Sequence, residues 1–461
     1  MELILPIFVS VIALISILLT PKAQHDGAFF RGLSPTGRQP GLLMLTFSLV
    51  TTWIFARSLM NAAILGFYYG IWGTLAYAAY YLSFLTGWRI IDSLRFNHGY
   101  NSVQSFLQDR FGRWGASCYN FVVGIRLISE VFANLLVIGI LFGTAGSSAY
   151  TMAVIGLATV TLFYSMIGGL HASLRTDLFQ MSLFLIVLLV LIGLTIGSGH
   201  FSLEQIGLKA FKIGDPGPIL LAVAFLQIWS YPMHDPVMMD RGFLSDRSTT
   251  KRSFIHAAWI SGLCIILFGI IGVFAGANTV SGETMNQVLT RLLGEIPMMF
   301  FSIALVISAM STLDSTLSSS AKLVVIDMGI QEPNINNGRL TMTIFMMIGL
   351  LLVFFGSNDL FSAVAVSGTA SLYLAPVVFF SLWGNCKDIP VWSYVSAFML
   401  AIGGAALYFT ESANYTQWLG SYHKYTKLLF ISVTVLTLDC LFFWAGAKLT
   451  NRQAETVVST V

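Results

Sequence analysis

A succession of apolar windows constrains this chain more than any other feature. Stretches of roughly 20 residues, the length at which a helix crosses the hydrocarbon core of a bilayer, recur along its whole length. They fall at 2–20, 42–70, 71–92, 115–144, 148–167, 171–197, 216–243, 253–277, 297–328, 339–356, 358–383, 389–410 and 424–447. Hydrocarbon offers no water to the backbone, so each N–H and C=O must be paired internally and such windows fold as helices. The expectation is an all-α polytopic membrane protein with about thirteen transmembrane helices. Of 461 residues, 56% are hydrophobic and only 10% charged, outside the range of soluble globular domains. The first window has no basic flank and no small-residue cleavage site, so it reads as a retained helix rather than a signal peptide.

Charge placement sets the expected orientation. With the N-terminus outside and the C-terminus cytoplasmic, the non-cytoplasmic connections hold only Lys209, Lys212, Arg291, Lys424 and Lys427 of the 24 Lys and Arg. Arg57 and Arg126 lie inside spans, and the rest are cytoplasmic, as the positive-inside rule requires. A net charge of +3 gives no footing for nucleic acid, and the four scattered cysteines form neither a metal motif nor a disulfide framework. The seven histidines do not cluster. No nucleophile–base–orienter set is visible either, which argues against a membrane-embedded enzyme.

Two windows look broken. In 42–70 the apolar run is interrupted by Thr51, Thr52, Arg57, Ser58 and Asn61. In 216–243 the interruption is Ser230-Tyr231-Pro232-Met233-His234-Asp235-Pro236, whose prolines donate no backbone hydrogen bond. Each break opens a block of five helices. Interrupted helices at corresponding positions of two halves point to an inverted-repeat transporter with a site near the membrane midplane. Polar content peaks again at 302–321, where Ser308, Ser311, Thr312 and Ser315 share a helical face with Asp314 beside them. A carboxylate at bilayer depth faces a protein interior or a water-filled path, and oxygen-only ligands suit a hard cation. Ser318 to Ser320 read as helix-packing hydroxyls.

These residues resemble the sodium/solute symporter family, which includes bacterial proline, sialic acid and sodium/galactose carriers. The carrying motif is Ser165-Met-Ile-Gly168-Gly169-Leu170-His-Ala-Ser173-Leu-Arg-Thr176-Asp177-Leu-Phe-Gln180, similar to the family's G-G-[LF]-x-A-x-x-x-T-D-x-x-Q signature. Ser311-Thr312-Leu313-Asp314-Ser315 matches the paired hydroxyls of the eighth core helix, and the loop ending Arg110-Phe111-Gly112 is similar to the family's R-[FY]-G. The resemblance implies a LeuT-like 5+5 inverted-repeat core with broken first and sixth core helices. The repeats would occupy 41–197 and 216–383, after an extra helix and loop (1–40) and before two C-terminal helices (384–461). It implies a main sodium site from the carbonyls of Thr51, Ile54 and Ser308 with the hydroxyls of Ser311 and Thr312. It further implies a second sodium at Asp177, Asp314 and Ser315, where the aspartate at 314 departs from the family's usual serine.

The resemblance maps substrate contacts to Trp53, Arg57 and Ser58 and a gate to Tyr231. His234 and Asp235 are candidates for substrate contact or proton sensing. Two readings fit Arg57: a fork-like contact to a substrate carboxylate, or a fixed salt bridge to Asp314, Glu130 or Asp235. Arg126 and Glu130, at i and i+4, are expected to satisfy each other. Asp240-Arg241 reads as part of an intracellular gate or of the membrane surface. The function implied is sodium-coupled import of a small polar or anionic solute, with one sodium ion or two, at the cell (inner) membrane, a monomer sufficing. Proton coupling is the rival within that class, and a channel or solute sensor on the same scaffold the rival outside it.

Overall fold

The computed structural model describes residues 4–34, 36–207, 211–355 and 366–459. Lys209 and residues 358–365 of the expected 358–383 span lie outside these. Among the described residues no strand forms. The helices are α1 (Ile4–Leu19), α2 (Asp26–Arg31), α3 (Leu42–Trp53), α4 (Ala56–Ala79), α5 (Ser83–Ile91), α6 (Val103–Phe142), α7 (Ser148–Gly197), α8 (Pro216–Gln227), α9 (Tyr231–His234), α10 (Pro236–Gly242), α11 (Arg247–Ala277), α12 (Met285–Leu293), α13 (Glu295–Lys322), α14 (Ile335–Phe355), α15 (Leu374–Pro376), α16 (Val391–Ser412) and α17 (Lys424–Ser459). Eight helical stretches among them are long and apolar enough to cross a membrane, and α1, α3, α8 and 374–383 are shorter apolar helices. The chain is a polytopic all-α membrane protein.

Some expected boundaries turn out to be kinks inside longer helices. The windows 148–167 and 171–197 join as α7, bent at Gly169 with φ of 56°. The boundary at 70/71 is Gly70 of α4, with φ of 64°, and α6 bends at Gly112, with φ of 60°. Glycine reaches positive φ without the Cβ clash that other residues meet, so the helix turns a corner instead of ending. At Gly169 a close approach adds a second reason. A Cβ there would lie 2.5 Å from the Phe29 carbonyl oxygen, and one on Gly168 would lie 2.3 Å from that of Pro21. The paired glycines of the signature thus let the 21–29 segment pack directly on α7.

The chain forms two compact units, each drawing on both expected repeats. The first comprises Met1–Tyr81, Leu127–Leu221 and Leu244–Asn358. In it α4 packs on α11, and α7 packs on α13 and α3. The α4–α11 contact is backbone to backbone: a Cβ on Gly272 would lie 1.9 Å from the Ala63 carbonyl oxygen. Small residues permit such approach where apolar burial gives no net drive between helices.

The second unit comprises Leu82–Arg126, Ala222–Phe243 and Asp359–Val461. It contains the interrupted stretch from Ala222 through α9 and α10. Asp235, held extended before Pro236 as pre-proline residues are, caps α10 by accepting from the Met238 N–H at 2.8 Å. Carbonyls freed by the interruption are taken up by side chains: Thr86 donates to Ile228 O at 2.6 Å and Tyr119 to Met233 O at 2.8 Å. Helices α16 and α17 pair, joined by the buried Lys427–Glu411 salt bridge at 2.8 Å.

Candidate functional site

The break between α3 and α4 contains neither glycine nor proline. Ile54 leaves the helical region (φ −82°, ψ 70°) and Phe55 is extended, after which α4 starts at Ala56. The carbonyls that lose their helical partners here are claimed from outside α3. Tyr81 donates to Trp53 O at 2.7 Å with its ring edge-on to the indole, and Ser308 of α13 donates to Ile54 O. Thr312, one turn along α13, has its hydroxyl 2.9 Å from Ser308 O and 3.4 Å from Thr51 O. The first is an ordinary bond to the i−4 carbonyl. The second is longer than the usual O–H···O separation of about 2.7–2.8 Å. Oxygens bound at right angles to a cation at about 2.4 Å sit about 3.4 Å apart. The Thr312 proton is committed to Ser308 O, so both hydroxyl lone pairs are available to a cation.

A cavity of about 10 Å³ lies at this point, lined by Thr51, Ile54, Ser308 and Ser311 with Ile307, Gln180, Met181 and Phe184 of the facing helices. A water molecule needs about 10–15 Å³ in this measure, so the space is no larger than one water. Of the five expected main-site residues, Thr51, Ile54, Ser308 and Thr312 are in mutual contact. Ser311 borders the same cavity but donates its own proton to Asp177 Oδ1 at 2.6 Å.

The polar face of α13 therefore divides into two ridges. Ser308 and Thr312 meet the α3 carbonyls, while Ser311 and Ser315 meet Asp177 of α7. Asp177 Oδ2 takes a hydrogen bond from Ser48 at 2.6 Å, and Ser315 lies 3.4 Å away. Asp314 points to a different part of α7, accepting from Ser165 at 2.6 Å on Oδ1 and from Thr176 at 2.8 Å on Oδ2. Ser173 of α7 lies 3.1 Å from Ser315. Both carboxylates are fully buried. Hydroxyl donors make such burial tolerable by replacing the lost hydration. Sequence reasoning assigned no role to Ser48, Ser165, Ser173 or Thr176. Ser48 is one turn before Thr52 on α3, and the other three stand in the signature at the spacing of one α7 face. Gln180, the last signature residue, donates to Ser16 of α1 at 3.1 Å. The packing hydroxyls expected at 318–320 are buried, and Ser320 bonds back to Leu317 O at 2.7 Å.

The expected substrate residues fall in separate units. In the first, Trp53, Arg57 and Ser58 are buried on either side of the α3–α4 break, with Ser58 3.1 Å from the Tyr77 hydroxyl. The salt-bridge reading of Arg57 is not met. Its Nε and Nη1 have no partner among the described residues, and its guanidinium carbon lies 5.7 Å from the centre of the Phe55 ring. In the second unit, Asp235 is engaged by Arg126 at 2.8 Å, and the Arg126 guanidinium lies 5.2 Å from the centre of the Tyr231 ring. Arg126 is thus held by a tertiary ion pair, while Glu130 accepts from Thr316 at 3.3 Å. His234 Nε2 contacts Ser367 at 2.9 Å. Asp240 and Arg241 are both buried, so neither belongs to the membrane surface.

No family model matches the sequence, and no curated protein matches it. Solved structures do match. One is a Na+-coupled sialic acid symporter in a substrate-bound outward-open state, at 13% identity, covering 96% of this chain and 97% of that one, with a TM-score of 0.69. A second is Mhp1, a nucleobase-cation-symport-1 family transporter in a closed conformation with bromovinylhydantoin bound, at 14% identity, 92% and 96% coverage and a TM-score of 0.60. A third is the Eremococcus coleocola manganese transporter, at 13% identity, 89% and 95% coverage and a TM-score of 0.52. The chain has the fold shared by these membrane transporters.

Proposed function

We propose that this chain is a sodium-coupled secondary transporter that imports a small polar or anionic organic solute by alternating access. The observation that carries the reading is the convergence of Thr51 O, Ile54 O, Ser308 O and the Thr312 hydroxyl at the α3–α4 break. Unwound carbonyls and hydroxyls supply the neutral oxygen set that a weakly charged hard cation needs. Ser311 completes the main site by turning a lone pair toward the cavity while its proton stays on Asp177. Asp177, Asp314 and Ser315 form the environment of a second sodium ion. In the first unit Trp53, Arg57 and Ser58 are the solute contacts of this reading; in the second unit Tyr231, His234 and Asp235 are assigned the same role. The inverted repeats span 41–197 and 216–383, flanked by 1–40 and 384–461. The protein sits in the cell (inner) membrane with its N-terminus outside and its C-terminus cytoplasmic, and one copy carries the complete ion site.

Coupling draws on the sodium gradient and on the membrane potential, which supplies about 2.3 kcal/mol per charge per 100 mV. The test compares the thermal midpoint of the purified protein in sodium, potassium and choline chloride. A ligand that binds only the native state at 100 times its Kd stabilises it by about 2.7 kcal/mol, so sodium alone should raise the midpoint. Equal midpoints in the three salts refute sodium coupling. A response to pH and not to sodium assigns the coupling to protons.

A further inference from the structure

Two buried side chains on α4 carry donor atoms that find no acceptor among the described residues. Arg57 and Asn61 are 2% and 3% exposed, and Arg57 Nε, Arg57 Nη1 and Asn61 Nδ2 have no hydrogen-bond partner among the described residues. They lie at i and i+4 on one face of a regular helical turn, which brings their Cβ atoms to roughly 5–6 Å of each other. A guanidinium cannot shed its proton, and a buried charge without a counter-charge is a large cost that folded proteins do not carry without reason. The buried acids of α6, α7 and α13 have hydroxyl partners: Asp314 with Ser165 and Thr176, Asp177 with Ser48 and Ser311, and Glu130 with Thr316. Phe55, at the N-cap of α4, gives the first turn no side-chain acceptor. The positive end of that helix therefore adds to the same field.

We propose that Arg57 and Asn61 form the seat of a monocarboxylate, with Arg57 gripping the carboxylate as a fork and Asn61 donating a further hydrogen bond. A fork matches the planar, two-oxygen geometry of a carboxylate. One buried positive charge balances one negative charge, so a dianion such as sulfate or a phosphate ester would leave a buried surplus. Arg57 follows Ile54, whose carbonyl belongs to the cation site, by three residues. Sodium and carboxylate would thus flank one break, each charge offsetting the other. As the cargo site, this seat rests on the symporter reading; as an anion site, it stands without it.

The experiment measures the thermal midpoint of the full chain with acetate, pyruvate, benzoate and phenylacetate, each against its own amide, in sodium and in choline chloride. At least one acid should raise the midpoint while its amide does not. The shift should vanish in Arg57→Met and shrink in Asn61→Leu. A shift seen in choline as well as in sodium keeps the anion seat and refutes only the coupling. A sodium shift with no response to any of the acids keeps the cation site and overturns the seat. Equal shifts with acids and amides, or equal responses to acids and to nitrate, also overturn it. A ligand-free comparison adds an independent arm. Without any carboxylate, Arg57→Met should be at least as stable as the native chain, because it removes an unneutralised buried charge. A lower midpoint for that variant would mean that Arg57 holds a structural contact, and would overturn the proposal.

Discussion

Removing the Thr312 hydroxyl tests the proposed cation site. That oxygen lies 2.9 Å from Ser308 O and 3.4 Å from Thr51 O, and so joins the two helices that supply the oxygen set. Valine keeps the branched shape of threonine and deletes only the lone pairs. A polar contact to a charged group contributes about 1.5–3 kcal/mol, and each 1.4 kcal/mol is a factor of about ten in affinity. Thr312→Val should therefore raise the sodium concentration for half-maximal stabilisation or uptake by about tenfold to a hundredfold. Thr312→Ser, which keeps the oxygen, should stay within a few fold of the native value. Isotopic sodium binding to purified protein reads the effect directly, with Thr316→Val as control. Thr316 lies one turn further along α13, where its hydroxyl contacts Glu130 at 3.3 Å and no α3 carbonyl. Unchanged sodium affinity in a folded Thr312→Val protein would refute the assignment. So would an equal loss in the Thr316 control.

Other consequences concern stoichiometry, packing and pH. Asp314→Asn keeps the acceptor for Ser165 but deletes the charge, so the number of sodium ions bound per protein should fall if Asp314 supports a second ion. An unaltered stoichiometry in equilibrium dialysis would reduce it to a packing residue. Gly272→Ala places a Cβ 1.9 Å from main-chain Ala63 O; since overpacking costs about 1–3 kcal/mol, its midpoint should drop. Gly262→Ala on the same helix meets nothing within 4 Å and should be neutral or slightly stabilising, since alanine is the better helix former. In the loop before α12, Arg291 grips both oxygens of Glu283 at 2.8 Å and holds the carboxyl down at about 2. The folded pKa is depressed, so this local stability is fully present above the unfolded value of about 4.3 and is lost as pH falls toward 2. Protection of the Val280 N–H, which bonds Glu283 Oε2 at 2.9 Å, should follow that window in hydrogen exchange corrected for intrinsic rates. Loss of protection at pH 6 would contradict it.

The two helix breaks differ in how far the sequence announced them. Pro232 and Pro236 mark the second by local chemistry, because a missing N–H interrupts a helix wherever it occurs. Ile54 and Phe55 carry no such mark. Only the cluster of polar side chains around them pointed to the first break, and its position is fixed by Ser308 and Tyr81 reaching its carbonyls. Likewise Gly70 and Gly169 were legible as ends of apolar windows, but whether a helix ends or bends at a glycine depends on what packs against it.

By itself the sequence determined that the chain is a bundle of membrane helices, because bilayer thickness and backbone pairing leave few other outcomes for repeated apolar windows. It also determined which helices gather hydroxyls and carboxylates at helical spacing, groups that are costly in hydrocarbon unless they are partnered. Tertiary structure alone decided the partners. It sent Ser308 and Thr312 to α3 and Ser311 and Ser315 to Asp177. It turned Asp314 toward Ser165 and Thr176, and joined Arg126 to Asp235 while leaving Arg57 without a counter-ion among the described residues. Partner choice depends on rotation about helix axes of a few tens of degrees. Residues two or three positions apart on α13 face different neighbours, and no local pattern in the chain encodes that rotation.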